Sequence, residues 1–254
     1  MKLTKRRMKL ENSINRRRFM GRTALSGAGL ILGSDFAVHK TFAEEKHSLK
    51  GEARDMEMEV TATEDMMREH GVLRRILIVY SESARMIRRA SAEGVYGPIN
   101  KAAQLFRQFG ENYHEKLLEE AHIFPAVSRA GGKASAYPDI LIAQHRRGRE
   151  ITDYIISTTS GKEPADVRKL TSAMRAFVRM YRAHAAREDT IVFPAWKQTT
   201  SEEQLGEIGE KFEDIEHEQF GEDGFEKAVG QIAAIEEHLG LADLSKFTAP
   251  PIGM

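Results

Sequence analysis

From Thr61 onward, apolar residues return every three or four positions. Met66, Met67, His70, Leu73, Leu77, Tyr80 and Ala84 fall at this spacing behind Thr61-x-x-Glu64, a capping-box signature, which predicts an amphipathic helix from Thr61 to about Ala92. Gly94 and Gly97-Pro98 interrupt the pattern. Pro98 opens a second helix carrying Ala102, Leu105, Phe106, Phe109, Tyr113 and Leu117, which ends near Gly131-Gly132. A third begins at Pro138-Asp139, carries Ile140, Leu141, Ile151, Tyr154 and Ile155, and stops by Gly161. A fourth opens at Pro164 and carries Val167, Leu170, Met174, Phe177, Val178 and Tyr181 to about Lys197. No stretch sustains period-two alternation, so no sheet is expected. Four long helices on short loops predict an all-α fold, an antiparallel four-helix bundle over residues 61–199. Residues 200–254 carry two shorter amphipathic segments, 202–217 and 222–239, expected to pack outside the bundle as a C-terminal helical extension.

Charge changes the picture at the N-terminus. The chain of 254 residues has 38 Lys and Arg against 38 Asp and Glu, but residues 1–43 hold ten of the basic residues and only Glu11 and Asp35, a local net of +8. The remainder is therefore at −8, which argues against nucleic acid as a partner, because that affinity comes from basic surface releasing counterions. Asn15-Arg16-Arg17-Arg18-Phe19-Met20, a Gly/Ala/Ser-rich weakly apolar stretch and Thr41-Phe42-Ala43 before Glu44-Glu45 look like a twin-arginine export signal with its small-residue cleavage site. The resemblance implies the twin-arginine export machinery as a partner, removal of residues 1–43, a periplasmic or otherwise exported location, and a cofactor acquired before export. Residues 44–60, charged and without apolar periodicity, read as a linker. The chain has no cysteine, which removes disulfides, iron–sulfur clusters, thiolate zinc sites and cysteine nucleophiles. Any metal must be held by His, Asp and Glu. No apolar run is long enough to predict a spanning helix.

Four histidines, His70, His114, His145 and His184, fall one per predicted bundle helix, and up-and-down topology can bring one from each helix to a single level of the core. His184 and Glu188 are four apart, about 40° round an ideal helix, so both can point at one metal. The segment Glu188-Asp189-Thr190-Ile191-Val192-Phe193-Pro194-Ala195 has a partial copy in Glu119-Glu120-Ala121-His122-Ile123-Phe124-Pro125-Ala126. Two matching segments on alternate helices suggest two halves of one site. His47, His217 and His238 have no companion at ligand spacing.

Residues 64–73, 113–117, Glu119-Glu120 before Phe124-Pro125, Gln144-His145 and residues 184–194 together resemble the hemerythrin-like cation-binding family, and residues 221–226 are similar too. The resemblance implies a four-helix bundle with two non-haem irons, ligated by His70, His114, Glu119, His145, His184 and Glu188, with the two carboxylates bridging. Zinc or manganese suits the same donors. His114 and Glu119 are five apart, about 140° on an ideal helix, which requires a local π-bulge. Glu115, or His122 in a Glu-x-x-His pair with Glu119, are alternatives to Glu119. Where family members often carry a second histidine on the third helix, this chain has Arg149, expected beside an open coordination place where it can donate to bound dioxygen or peroxide. The function implied is binding of dioxygen, another small ligand or iron itself for transport, sensing or storage. An oxidase or peroxidase at the same centre and a metal-free helical interaction module are the alternatives.

Overall fold

Thr61 caps the first helix as its spacing predicts: its hydroxyl accepts the Glu64 amide at 3.3 Å, and α1 (Ala62–Arg88) runs from there with Glu64 and Asp65 in its first turn and Arg85 and Arg88 in its last, complementing the helix dipole. The structure, a computed structural model, describes residues 60–89, 94–161, 164 and 166–253. The expected export segment and all of the expected linker except Val60 lie outside the described residues, and the first helix, expected to reach about Ala92, ends at Arg88 with Arg89 as its C-cap.

The second helical run starts at α2 (Tyr96–Leu105), two residues before Pro98, and passes without a break into a π-helical stretch, π1 (Phe106–Ile123), and then α3 (Phe124–Ala130). The junction residues all keep helical dihedrals. Gly131 and Gly132, both at φ 72°, end the run in a conformation that favours glycine. A 3-10 turn, Lys133–Ala136, leads to α4 (Pro138–Thr159). The fourth run does not open at Pro164. Asp166 caps α5 (Val167–Arg187) by accepting the Lys169 amide at 2.8 Å, since a carboxylate can satisfy a free first-turn N–H and a proline ring cannot. It continues through a second π turn, π2 (Glu188–Val192), into α6 (Phe193–Gln198). Ser201 and Gln204 form a reciprocal capping box at the start of α7 (Glu202–Phe220), and α8 (Gly224–His238) follows.

The fold is all-α, with no strand among the described residues. The four long runs form the bundle: α1 lies against α5, α2 against α4, α4 against α5, and π1 touches both α1 and α4. Outside it, α7 packs on α1 and π1, and α8 on α1 and α2. Arg75 of α1 clasps Glu236 of α8 through Nε at 2.9 Å and Nη2 at 2.5 Å. Among the described residues no helix is long and apolar enough to cross a membrane.

One part of the bundle core is aromatic. Phe177 meets Tyr80, Phe106 and Tyr181 with ring centroids 5.5, 4.8 and 4.4 Å apart, all four side chains buried. Each such ring pair adds about 0.5–1.5 kcal/mol beyond its buried area. This block fixes Tyr181, whose ring centroid stands 5.2 Å from that of His184, and so leads directly to the polar part of the core.

Candidate metal centre

All six residues expected as ligands are buried and meet at one level of the bundle. The Nε2 atoms of His145 and His184 are 3.0 Å apart. His184 Nε2 lies 2.9 Å from Glu188 Oε1 and His145 Nε2 lies 3.5 Å from Glu119 Oε2. On the other side, His70 Nε2 is 3.5 Å from Glu188 Oε2 and His114 Nε2 is 3.4 Å from Glu119 Oε1. Each carboxylate thus turns one oxygen to the His145/His184 pair and the other to the His70/His114 pair. Two clusters result that could hold a metal ion, one of Glu119, His145, His184 and Glu188, the other of His70, His114 and Glu119.

The five-residue spacing of His114 and Glu119 is accommodated by π1, in which i→i+5 hydrogen bonding brings residues five apart onto one face. The widening is not a single bulge but extends over 18 residues. Both π stretches end alike: the Phe124 amide bonds the Glu119 carbonyl, and the Phe193 amide bonds the Glu188 carbonyl.

Every imidazole has its other nitrogen, Nδ1, tied outward. His70 pairs with Asp189 at 2.7 Å, His114 with Glu69 at 2.6 Å, His145 with Glu120 at 2.9 Å and His184 with Gln144 at 2.9 Å. An acceptor on Nδ1 places the proton there and leaves Nε2 as a lone-pair donor facing the centre. These four partners escaped the sequence reading, although each sits next to a ligand in the chain. Successive residues on a helix are about 100° apart, so when one faces the core its neighbour faces the adjoining helix. Glu69 beside His70 therefore reaches His114, Glu120 beside Glu119 reaches His145, Gln144 beside His145 reaches His184, and Asp189 beside Glu188 reaches His70. The four runs close a ring of support.

The electrostatics match a site built for positive charge. Burial and the neighbouring Glu188 push the Glu119 carboxyl up, whereas the imidazoles of His184 and His70 hold Glu188 down despite its burial. Burial lowers His145 to about 4, in keeping with a neutral ring, whereas against their burial the Glu119 and Glu69 carboxylates raise His114 and the Glu188 carboxylate raises His184, so that a metal ion would displace a proton from these two rings. Glu120, which burial alone would raise, is held at about 2 by the hydrogen bonds of His145 and Arg149. The four oxygens of Glu119 and Glu188 and the His114 Nε2 have no well-formed hydrogen bond among the described residues, although all lie within the core. Orphaned buried acceptors converging in this way fit divalent cations, which satisfy lone pairs and charge together.

Of the two alternative ligands, His122 is placed elsewhere, whereas Glu115 belongs to a further group that could hold a metal ion, with Glu120 and His145. His122 is half-buried and faces Phe212 of α7, with ring centroids 5.7 Å apart. Glu115 is buried one step outside the centre, accepting from the Tyr181 hydroxyl at 2.6 Å and Arg149 Nη2 at 3.2 Å, with His145 Nδ1 3.9 Å away. Arg149 itself does not stand beside an open coordination place. Its Nη2 is drawn to Glu120 at 2.7 Å as well as Glu115, on the Nδ1 side of His145. A cavity of about 20 Å³ is lined by five of the six candidates, His70, His114, Glu119, His184 and Glu188, together with Leu73, Leu77, Phe106 and Tyr181, with Arg74 paired to Asp189 and Arg149 not among its walls. A larger one, about 600 Å³, lies between α2 and α8 and touches none of the six.

A family model described as the hemerythrin HHE cation binding domain matches residues 61–196 and, overlapping, 138–240. Uncharacterized proteins of Mycobacterium bovis and of two strains of Mycobacterium tuberculosis are each 43% identical to this chain over 197 residues, 76% of its length and 76% of theirs. No solved structure matches. A bundle that gathers four histidines and two carboxylates at one level is what a cation-binding family requires of its fold, and the chain belongs to the hemerythrin HHE cation-binding family.

Proposed function

We propose that this chain is a non-haem di-iron protein that binds dioxygen, peroxide or a similarly small ligand. The observation that carries this reading is the fixed orientation of four imidazoles, each with Nδ1 engaged outside and Nε2 turned to a pair of carboxylates that divide their oxygens between two halves. Imidazole and carboxylate donors suit iron, zinc and manganese alike, and the choice of iron rests on the family resemblance. When bound, a pair of irons would supply redox chemistry and open coordination for a small molecule.

The chain's own residues do the rest. Glu119 and Glu188 would help to hold both ions and offset their charge. The outer acceptors keep the imidazoles in the ligating tautomer. The cavity of about 20 Å³ is bounded by five of the six candidate ligands themselves, and Leu73, Leu77 and Phe106 give it apolar walls. Tyr181 gives that wall a polar edge, but its hydroxyl is committed to Glu115. The basic N-terminal segment supports a place of action outside the cytoplasm, reached by twin-arginine export of the folded, loaded protein.

Metal analysis of purified protein should give two ions per chain. His184→Ala or Glu188→Ala should lower that content, while His122→Ala and His217→Ala should leave it intact; equal loss from all four would overturn the assignment. In the iron-loaded protein, azide added after oxidation should produce a ligand-to-metal charge-transfer band. A loaded protein whose spectrum ignores azide, peroxide and dioxygen alike would refute the small-ligand reading, and sustained peroxide turnover would move it to the enzyme class.

A further inference from the structure

One buried polar path leaves the metal centre and ends in the C-terminal extension. His114 Nδ1 pairs with Glu69 Oε2 at 2.6 Å. The other oxygen of Glu69 accepts from the Tyr113 hydroxyl at 2.9 Å, and the same hydroxyl lies 3.4 Å from Oε2 of Glu216 on α7. Glu216 Oε1 in turn accepts the backbone amide of Phe225, in the first turn of α8, at 2.6 Å. Glu69, Tyr113, His114 and Glu216 are all buried. The corner between α7 and α8 is shaped around this carboxylate. A Cβ at Gly224 would stand 2.7 Å from Glu216 Oε1 and 2.8 Å from its Cγ, and Asp223 just before it adopts φ 60°. Arg68, the residue before Glu69, lies over the Phe225 ring at 4.8 Å and pins the same corner to α1.

We infer that Glu216 is a positioning residue for the metal centre: through Tyr113 and Glu69 it sets the donor strength of His114, so that the α7–α8 hairpin tunes one of the two metals. The inference rests on the metal-centre reading above. Its physical basis is competition for one proton. The Tyr113 hydroxyl has a single hydrogen and two carboxylates within reach. The more Glu216 draws that hydrogen, the less it neutralises Glu69, and the more strongly Glu69 polarises the Nδ1–H of His114. A more polarised imidazole is a better Nε2 donor. Among the described residues no equivalent path to the extension leaves His70, His145 or His184, whose partners Asp189, Glu120 and Gln144 all belong to the bundle runs. The effect is therefore confined to the half that contains His114.

The test uses the full chain, loaded anaerobically with Fe(II) in competition with a chromophoric chelator, and with Zn(II) for NMR. Glu216→Gln keeps an oxygen for the Phe225 amide but removes the charge. It should weaken one of the two metals by about tenfold, the lower end for outer-shell changes, and move the His114 Nδ1–H resonance of the zinc form. Tyr113→Phe, which takes the neutralising hydrogen from Glu69 altogether, should instead tighten the same metal, and Glu216→Gln added to it should change nothing further. A merely structural role predicts instead a lower melting temperature with affinity and resonance unmoved, or an equal effect of Glu216→Gln with and without Tyr113; either result overturns the inference. If His184→Ala keeps its full metal content, the metal-centre reading itself fails and takes the inference with it. If His184→Ala empties the centre and Glu216→Gln and Tyr113→Phe do not alter affinity, the inference alone is wrong.

Discussion

Gly148→Ala offers a test in which local rules and tertiary structure predict opposite signs. Gly148 lies inside α4, where replacing glycine by alanine ordinarily stabilises a helix by about 0.5–1 kcal/mol. Here the new Cβ would meet the Tyr181 hydroxyl at 2.1 Å and two of its ring carbons at 2.9 Å. The ring cannot retreat freely, because Phe106, Phe177 and His184 enclose it with centroids 4.9, 4.4 and 5.2 Å away. Overfilling a packed core of this kind costs about 1–3 kcal/mol. If Tyr181 turns aside, Glu115 loses its 2.6 Å donor while buried, a further cost of about 1–3 kcal/mol. Set against the helix gain, the net loss is about 0–2.5 kcal/mol if the ring stays and about 1–5 kcal/mol if it turns, each kcal/mol lowering the melting temperature by roughly 2–4 °C for a domain of this size. Urea unfolding of the metal-free protein would measure it. The same substitution placed on Tyr181→Phe should cost less, since the 2.1 Å contact is gone and only the 2.9 Å ones remain. A Gly148→Ala protein that is more stable than its parent would refute the packing described for Tyr181.

Two further outcomes follow from the charges. In the metal-free protein, Glu120 is held at about 2 against an ordinary 4.5, so its folded form binds its proton less readily than the unfolded chain. The stability this gives is present above about pH 4.5 and lost as the pH falls through about 2; the difference in unfolding free energy between the parent and Glu120→Gln should close over that window, and a constant difference would contradict the His145 and Arg149 hydrogen bonds. At the N-terminus, intact-mass analysis of exported protein should find a chain beginning at Glu44, whereas a full-length chain confined to the cytoplasm would rule out the export reading.

Much of this centre was legible before any coordinates, because helix geometry turns spacing into direction. The return of apolar residues every three or four positions marked the four runs, and the separation of His184 from Glu188 put both on one face. What the spacing could not say was which neighbour a side chain meets. Arg149 lies on the face of His145, one turn on, yet whether it met a ligand or a carboxylate depended on π1 presenting Glu115 and Glu120 there. Glu69, Glu120, Gln144 and Asp189 were hidden for the same reason, since a residue one step from a ligand looks like solvent-facing polarity until the adjoining helix is in place.

The least legible feature, the change from α to π hydrogen bonding, nevertheless left a trace in the chain. The two Phe-Pro pairs stand five residues after Glu119 and Glu188, and in each the phenylalanine amide bonds the glutamate carbonyl across that five-residue step. Proline has no amide to donate, so the ladder can return to the α register at Pro125 and Pro194 at small cost in hydrogen bonds. The prolines lie in the first turns of α3 and α6, where a missing amide is best tolerated. The repeated pair is therefore more than a mark of bent helices. It fixes where each π stretch ends, and with that the height at which its glutamate enters the core. Two glutamates set at matching heights by matching register changes can each turn one oxygen to either half of the centre, as Glu119 and Glu188 do.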